Sequence, residues 1–153
     1  MKNSQSILFT KKQFKSLLKV VYLGNWMANA FRTDDTHKDY ESIEDYIFSQ
    51  APKFGMDKHV DHEATDGDRY FPTNTFEQGT DVHKLHEEYD EETFWDEMAE
   101  RLGEKEFFEK YTIDEIKKMS QSEYFSKLIE CVDKIEEELE LHGLDNLKRV
   151  KSE

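Results

Sequence analysis

Two histidine pairs, His59-x-x-His62 and His83-x-x-His86, stand among Asp57, Asp61, Glu63, Asp66, Asp68, Glu87 and Glu88. Neutral imidazole and carboxylate are ligands that Zn²⁺, Mn²⁺ and Fe²⁺ accept, and an i,i+3 spacing on a helix lets two rings face one ion. HExxH is absent, however, and in a chain this acidic a histidine beside a carboxylate also arises by chance. The competing reading is four ordinary surface histidines, with no cofactor. Asp66-Gly67-Asp68 invites comparison with the EF-hand calcium loop, whose glycine occupies position six. That register puts His62, Ala64 and Thr73 at positions one, three and twelve, where acidic ligands belong, so the tripeptide reads as a turn.

Signatures of other chemistry are missing. The sequence has neither a glycine-rich phosphate loop nor a GxSxG elbow. Cys131 lies near Glu130 and Asp133 with no neighbouring base to activate its thiol, so core packing is expected rather than nucleophilic chemistry. Adjacent carboxylates such as Glu91-Glu92 and Asp96-Glu97 are too numerous to diagnose acid–base catalysis. Asn25 and Asn29 lie four apart with Trp26 between them in sequence. Because a buried amide costs a few kcal/mol unless it is bonded, the pair either ties loops to a core or lines a pocket.

The elements that would position these residues are mainly helical, since apolar residues recur at spacings of three and four and breaks are few. Thr10 and Gln13 have capping-box spacing and open a helix expected over residues 11–31. Its first half is amphipathic, with Phe14, Leu17, Leu18 and Val21 on one side and Lys12, Lys15 and Lys19 on another. From Val20 to Phe31 apolar residues appear all round, which predicts burial on every side, with Gly24 admitting a close neighbour. A second helix has its face at Ile43, Tyr46, Ile47 and Ala51 and ends near Pro52 and Gly55. Residues 53–80 read as a long loop with a short strand around Tyr70-Phe71. A third helical block carries Leu85, Tyr89, Phe94, Trp95, Met98 and Leu102, with Gly103 permitting a break before Phe107. Thr112 with Glu115 and Ser120 with Glu123 are two more capping boxes, the second opening a helix lined by Tyr124, Phe125, Leu128, Val132, Ile135 and Leu139 and stopped at Gly143. Asn146 to Val150 form a short strand or a tail. In Phe94-Trp95, Phe107-Phe108 and Tyr124-Phe125 the members of each pair lie about 100° apart on a helix, so one of each is expected at a boundary or against a second helix.

Charge is the strongest compositional feature, at −14 over 153 residues. Residues 1–32 hold six bases and no acid; residues 33–109 hold 24 acids and 7 bases; residues 110–153 hold 11 acids and 8 bases. Solubility alone accounts for such a surface, but so would mimicry of phosphate rows toward a Lys/Arg-lined groove of a nucleic-acid-binding protein. Direct nucleic-acid binding is disfavoured by the same sign. No apolar run approaches the ~18 residues of a membrane span, and Ile7-Leu8-Phe9 is too short for a signal core, so the cytoplasm is the default.

The expectation is therefore a mainly α protein, a compact helical bundle around a central N-terminal helix with a long irregular acidic segment and room in it for a short strand pair. One domain is expected over residues 1–153, with tails at 1–9 and 151–153. Function is expected through protein contacts or self-association, as an accessory or regulatory factor rather than an enzyme. The alternative is a metal protein or metal-dependent enzyme built on His59, His62, His83 and His86. That alternative requires bound transition metal in protein purified without a His-tag and a melting temperature raised by added Zn²⁺; failure of both removes it.

Overall fold

Hydroxyl caps start four of the six helices among the described residues. A computed structural model describes residues 5–65 and 67–148. Thr10 Oγ1 accepts from the Gln13 N–H at 3.3 Å while the Gln13 side-chain Oε1 takes the Thr10 N–H at 2.9 Å, opening α1 at Lys11–Asn29. Thr73 caps α3, Asn74–Gly79, and Thr112 with Glu115 forms a second complete box at α5, Ile113–Ile116. Ser120 caps α6, Gln121–His142, but Glu123 bonds Lys127 Nζ at 2.7 Å. Gly143, at φ +54°, ends α6 by donating its N–H to the Leu139 carbonyl. The other helices are α2, Lys38–Phe48, and α4, Val82–Lys110. The fold is mainly α, with a small antiparallel sheet, and among the described residues no helix is long and apolar enough to cross a membrane.

Met1–Glu87 and Glu88–Glu153 are two compact units. In the first, Phe14 and Leu18 of α1 pack with Phe48, Ala51, Met56, Phe76 and Val82. Rings carry much of this core: Phe14 stacks on Phe54 at 3.9 Å, and Phe48 meets Phe76 edge-on at 5.2 Å. Residues 53–80 are more ordered than the expected loop. Single 3₁₀ turns at Ala51–Phe54 and Asp57–His59 lead into β1, Val60–Glu63, which pairs with β2, Arg69–Pro72, Val60 opposite Pro72 and Glu63 opposite Arg69. The turn between the strands uses positive φ at Gly67 and Asp68, and Asp66 lies outside the described residues. Backbone pairing and turn chemistry, rather than apolar periodicity, order this stretch, which is why its residue pattern looks structureless.

Burial corrects several faces. Val20, Met27 and Phe31 are 64%, 55% and 75% exposed, so the second half of α1 is not enclosed, and the helix stops at Asn29. The first unit has too few residues to surround a helix on all sides. Ile43 and Tyr46 are exposed, and α2 ends at Phe48, which it buries instead.

In the second unit, α4 and α6 make the frame, with Ala99, Phe107, Cys131 and Leu139 buried. Phe107 is the hub: its ring lies 5.1 Å from both Tyr111 and Tyr124, while its neighbour Phe108 is exposed. Phe94 and Phe125 are likewise the outer members of their pairs. Leu85 and Tyr89 are exposed; α4 packs through small residues, Ala99 and Gly103. The helix runs unbroken through Gly103, and glycine is needed there for packing rather than for a break: a Cβ would lie 2.7 Å from the Cα of Val132. Asn146 to Lys148 form no strand, and Arg149, Val150 and the expected tail positions 1–4 and 151–153 lie outside the described residues.

Gly24, in contrast, faces open space. The two glycines therefore respond oppositely to alanine. Gly24→Ala is expected to stabilise by up to about 1 kcal/mol through helix propensity. Gly103→Ala gains the same propensity but drives a methyl into backbone, and overpacking of about 1–3 kcal/mol makes the net effect destabilising. Denaturant unfolding of both variants checks the signs; stabilisation by Gly103→Ala would refute the close approach.

Candidate functional site

The two histidine pairs are placed differently. His59 closes a 3₁₀ turn and His62 lies on β1, so their i,i+3 spacing straddles a junction and does not define one helical face. His59 is 8% exposed, edge-on to Phe76 at 5.9 Å, and its buried Nδ1 has no hydrogen-bond partner among the described residues. His62 is exposed, stacked on Tyr70 at 4.4 Å with Nε2 2.5 Å from Asp68 Oδ1. His83 and His86 do share α4, ring centroids 5.6 Å apart, but His83 Nε2 lies 3.6 Å from Glu87 and the His86 ring lies 3.9 Å from Trp26. Among the described residues no group of three or more His, Cys, Asp or Glu converges as a metal ion requires.

Asn25 and Asn29 form a chain of bonds. Asn25 Nδ2 donates to Glu44 Oε2 at 2.7 Å, Asn29 Nδ2 donates to Asn25 Oδ1 at 2.7 Å, and the His37 N–H donates to Asn29 Oδ1 at 2.7 Å. The pair thereby joins α1 to α2 and to the residue that precedes α2. Burial pushes the Glu44 carboxyl up to about 7, outweighing the Asn25 bond and the charge of Arg69. Tyr22 donates to Glu77 Oε1 at 3.1 Å, and burial together with that carboxylate pushes its phenol up to about 12. A carboxyl that exchanges its proton near neutrality suits acid–base chemistry. The hollow lined by Lys38, Glu41, Ser42, Asp45 and Arg69 is about 170 Å³, and Glu44 is not among its walls.

A larger cleft opens within the second unit, between α4 and α6. Its volume is about 430 Å³, inside the ~300–1,000 Å³ range of ligand sites. Glu92, Trp95, Asp96 and Ala99 line it from α4, and Glu136, Leu139, Glu140 and Gly143 from α6. Trp95 Nε1 donates to Glu91 Oε1 at 2.7 Å, which fixes the indole by an i,i+4 bond. Four carboxylates thus surround a floor made by an indole, a leucine and an alanine.

No protein-family model matches the chain, nor does a curated protein or a solved structure. The chemistry of the cleft is therefore argued from its own residues. From sequence, Glu92 and Asp96 stand among carboxylates too numerous to be diagnostic and Glu136 and Glu140 on a charged helix face, although a signal of their pairing existed. Glu92–Asp96 and Glu136–Glu140 are like-charge pairs at i,i+4, an arrangement that opposes helix formation. Glu44 carries no comparable signal, because its burial depends on how α1 meets α2.

The raised Glu44 carboxyl makes stability depend on pH with a definite sign. Its folded value of about 7 exceeds the usual 4.5, so its contribution is complete below pH 4.5 and lost as pH rises through 7. At pH 8 the buried charge costs about 3 kcal/mol, which Glu44→Gln removes while keeping an acceptor for Asn25. His59 acts in the other direction: burial holds its imidazole below the usual 6.5, so its contribution is lost as pH falls from there. The His59 effect cancels when the two proteins are compared at one pH. Glu44→Gln is expected to melt above the wild type at pH 8, with the gap closed at pH 4.5. A gap that does not change with pH contradicts this account.

Proposed function

We propose that the protein is a non-enzymatic accessory or regulatory factor, acting in the cytoplasm, whose Glu88–Glu153 unit receives a basic amphipathic segment of a protein partner in the α4–α6 cleft. The observation that carries this reading is the pairing of Glu92 with Asp96 and of Glu136 with Glu140 around Trp95 and Leu139. Like charges at i,i+4 each oppose the helix by about 0.2–0.5 kcal/mol. Glu140 also stands near the C-terminus of α6, where the helix dipole favours cations. Choices that work against local stability are expected where function sets the residue.

A Lys- or Arg-bearing segment resolves the conflict. Its cation neutralises the rim, its aliphatic stem packs on Trp95, and the indole face adds a cation–π contribution. Charge supports the same assignment. The second unit holds 21 acids against 10 bases, the first 14 against 11, so most of the −14 belongs to the unit that carries the cleft. Proteins that bind nucleic acid present the Lys/Arg surfaces this rim attracts, and they are the partner class the reading favours. Nucleic acid itself would be repelled.

A synthetic amphipathic Lys/Leu peptide titrated into the full chain tests the reading. Binding is expected to weaken by about tenfold in Glu136→Gln/Glu140→Gln at low salt. The same double variant is expected to melt about 1–2 °C higher, since a repulsive pair is gone. Equal affinity for the two proteins would overturn the proposal.

A further inference from the structure

We infer that the cleft is occupied by the N-terminal segment, Ile7 to Lys12, of a second copy of this chain. The inference rests on the cleft being a site for basic amphipathic segments, and it names one. Ile7 and Leu8 precede α1 in non-helical backbone and are 78% and 93% exposed. Two adjacent aliphatic side chains left this far in water are covered by nothing in their own unit. Immediately after them come Lys11, Lys12 and Lys15, with Lys12 and Lys15 exposed on the polar side of α1 and without an ion-pair partner among the described residues. Residues 1–32 contain no acid at all.

The segment thus has the composition the cleft asks for, in the order that a short extended arm and the first turn of α1 can deliver it. Leu8 and Lys12 are four residues apart across the cap of α1, at most about 13 Å. That is comparable to the reach from the middle of an apolar floor to a rim built on helices packed about 8–10 Å apart. Leu8 would lie on Trp95 while Lys12 meets Glu136 and Glu140; Lys11 Nζ already donates to the Gly55 carbonyl of its own unit at 3.5 Å. Each copy carries one arm and one cleft, so the contact is heterologous and either closes by reciprocal exchange or extends. A basic partner protein would then have to displace the arm, which makes self-association a competitor of partner binding.

Sedimentation velocity on the full chain tests this with two variants altered only at exposed positions. Leu8→Ser/Lys12→Glu changes the arm, and Glu136→Lys/Glu140→Lys changes the cleft. The wild type is expected to self-associate at low salt and to weaken at least about tenfold at high salt. Each variant alone is expected to be monomeric. An equimolar mixture is expected to form a 1:1 complex, because one protein retains the cleft and the other the arm. A monomeric wild type at low salt, an arm variant that associates like wild type, or a mixture that stays monomeric overturns the inference. If the Lys/Leu peptide still binds in that event, the arm alone is wrong; if it does not, the cleft assignment falls as well.

Discussion

The approach of α4 to α6 at Gly103 is the constraint on which the second unit depends. Val132 sits where any side chain at position 103 would be, so the two helix backbones touch there. Phe107 reaches Tyr124 on one side of this point, and Trp95 and Leu139 face a shared cleft on the other, an antiparallel arrangement. With Ala99, Phe107, Cys131 and Leu139 as the buried side chains, this is a thin core. Backbone proximity compensates by bringing many weak dispersion contacts within range at once. It also brings carboxylates of both helices to one opening, which explains how an unfavourable charge arrangement and a tight helix contact coexist in one unit.

Local chemistry was legible in the sequence and tertiary choice was not. Thr10, Thr112 and Ser120 mark their helices because a cap is a contact within four residues, and Gly143 ends α6 for the same reason. The short strand was visible in Tyr70 and Phe71, although the hairpin as a whole was hidden in acidic residues whose backbone does the pairing. Gly24 and Gly103 look alike as residues. Which one admits a neighbour is decided by what packs opposite, and that information lies dozens of residues away. The same holds for Val20 and Met27, apolar but exposed, and for Glu44, acidic but mostly buried.

Charge occupies a middle position between these cases. Counted along the chain, the acidic block is residues 33–109. Counted by compact unit, the excess moves toward Glu88–Glu153, because the acids of the first 87 residues are nearly balanced by bases that include the lysines of α1. Lys19, for example, lies 2.5 Å from Asp81 within the first unit. Neutralisation in one unit and accumulation in the other cannot be seen in a linear sum.

Cys131 gives the helix contact a chemical signature. Its thiol is buried, one residue before the Val132 that meets Gly103 of α4. Thiol reagents therefore reach sulfur only when the pair separates, and the rate of modification becomes a clock for that local opening. A single cysteine placed by packing makes the helix contact of the second unit one whose motion can be timed.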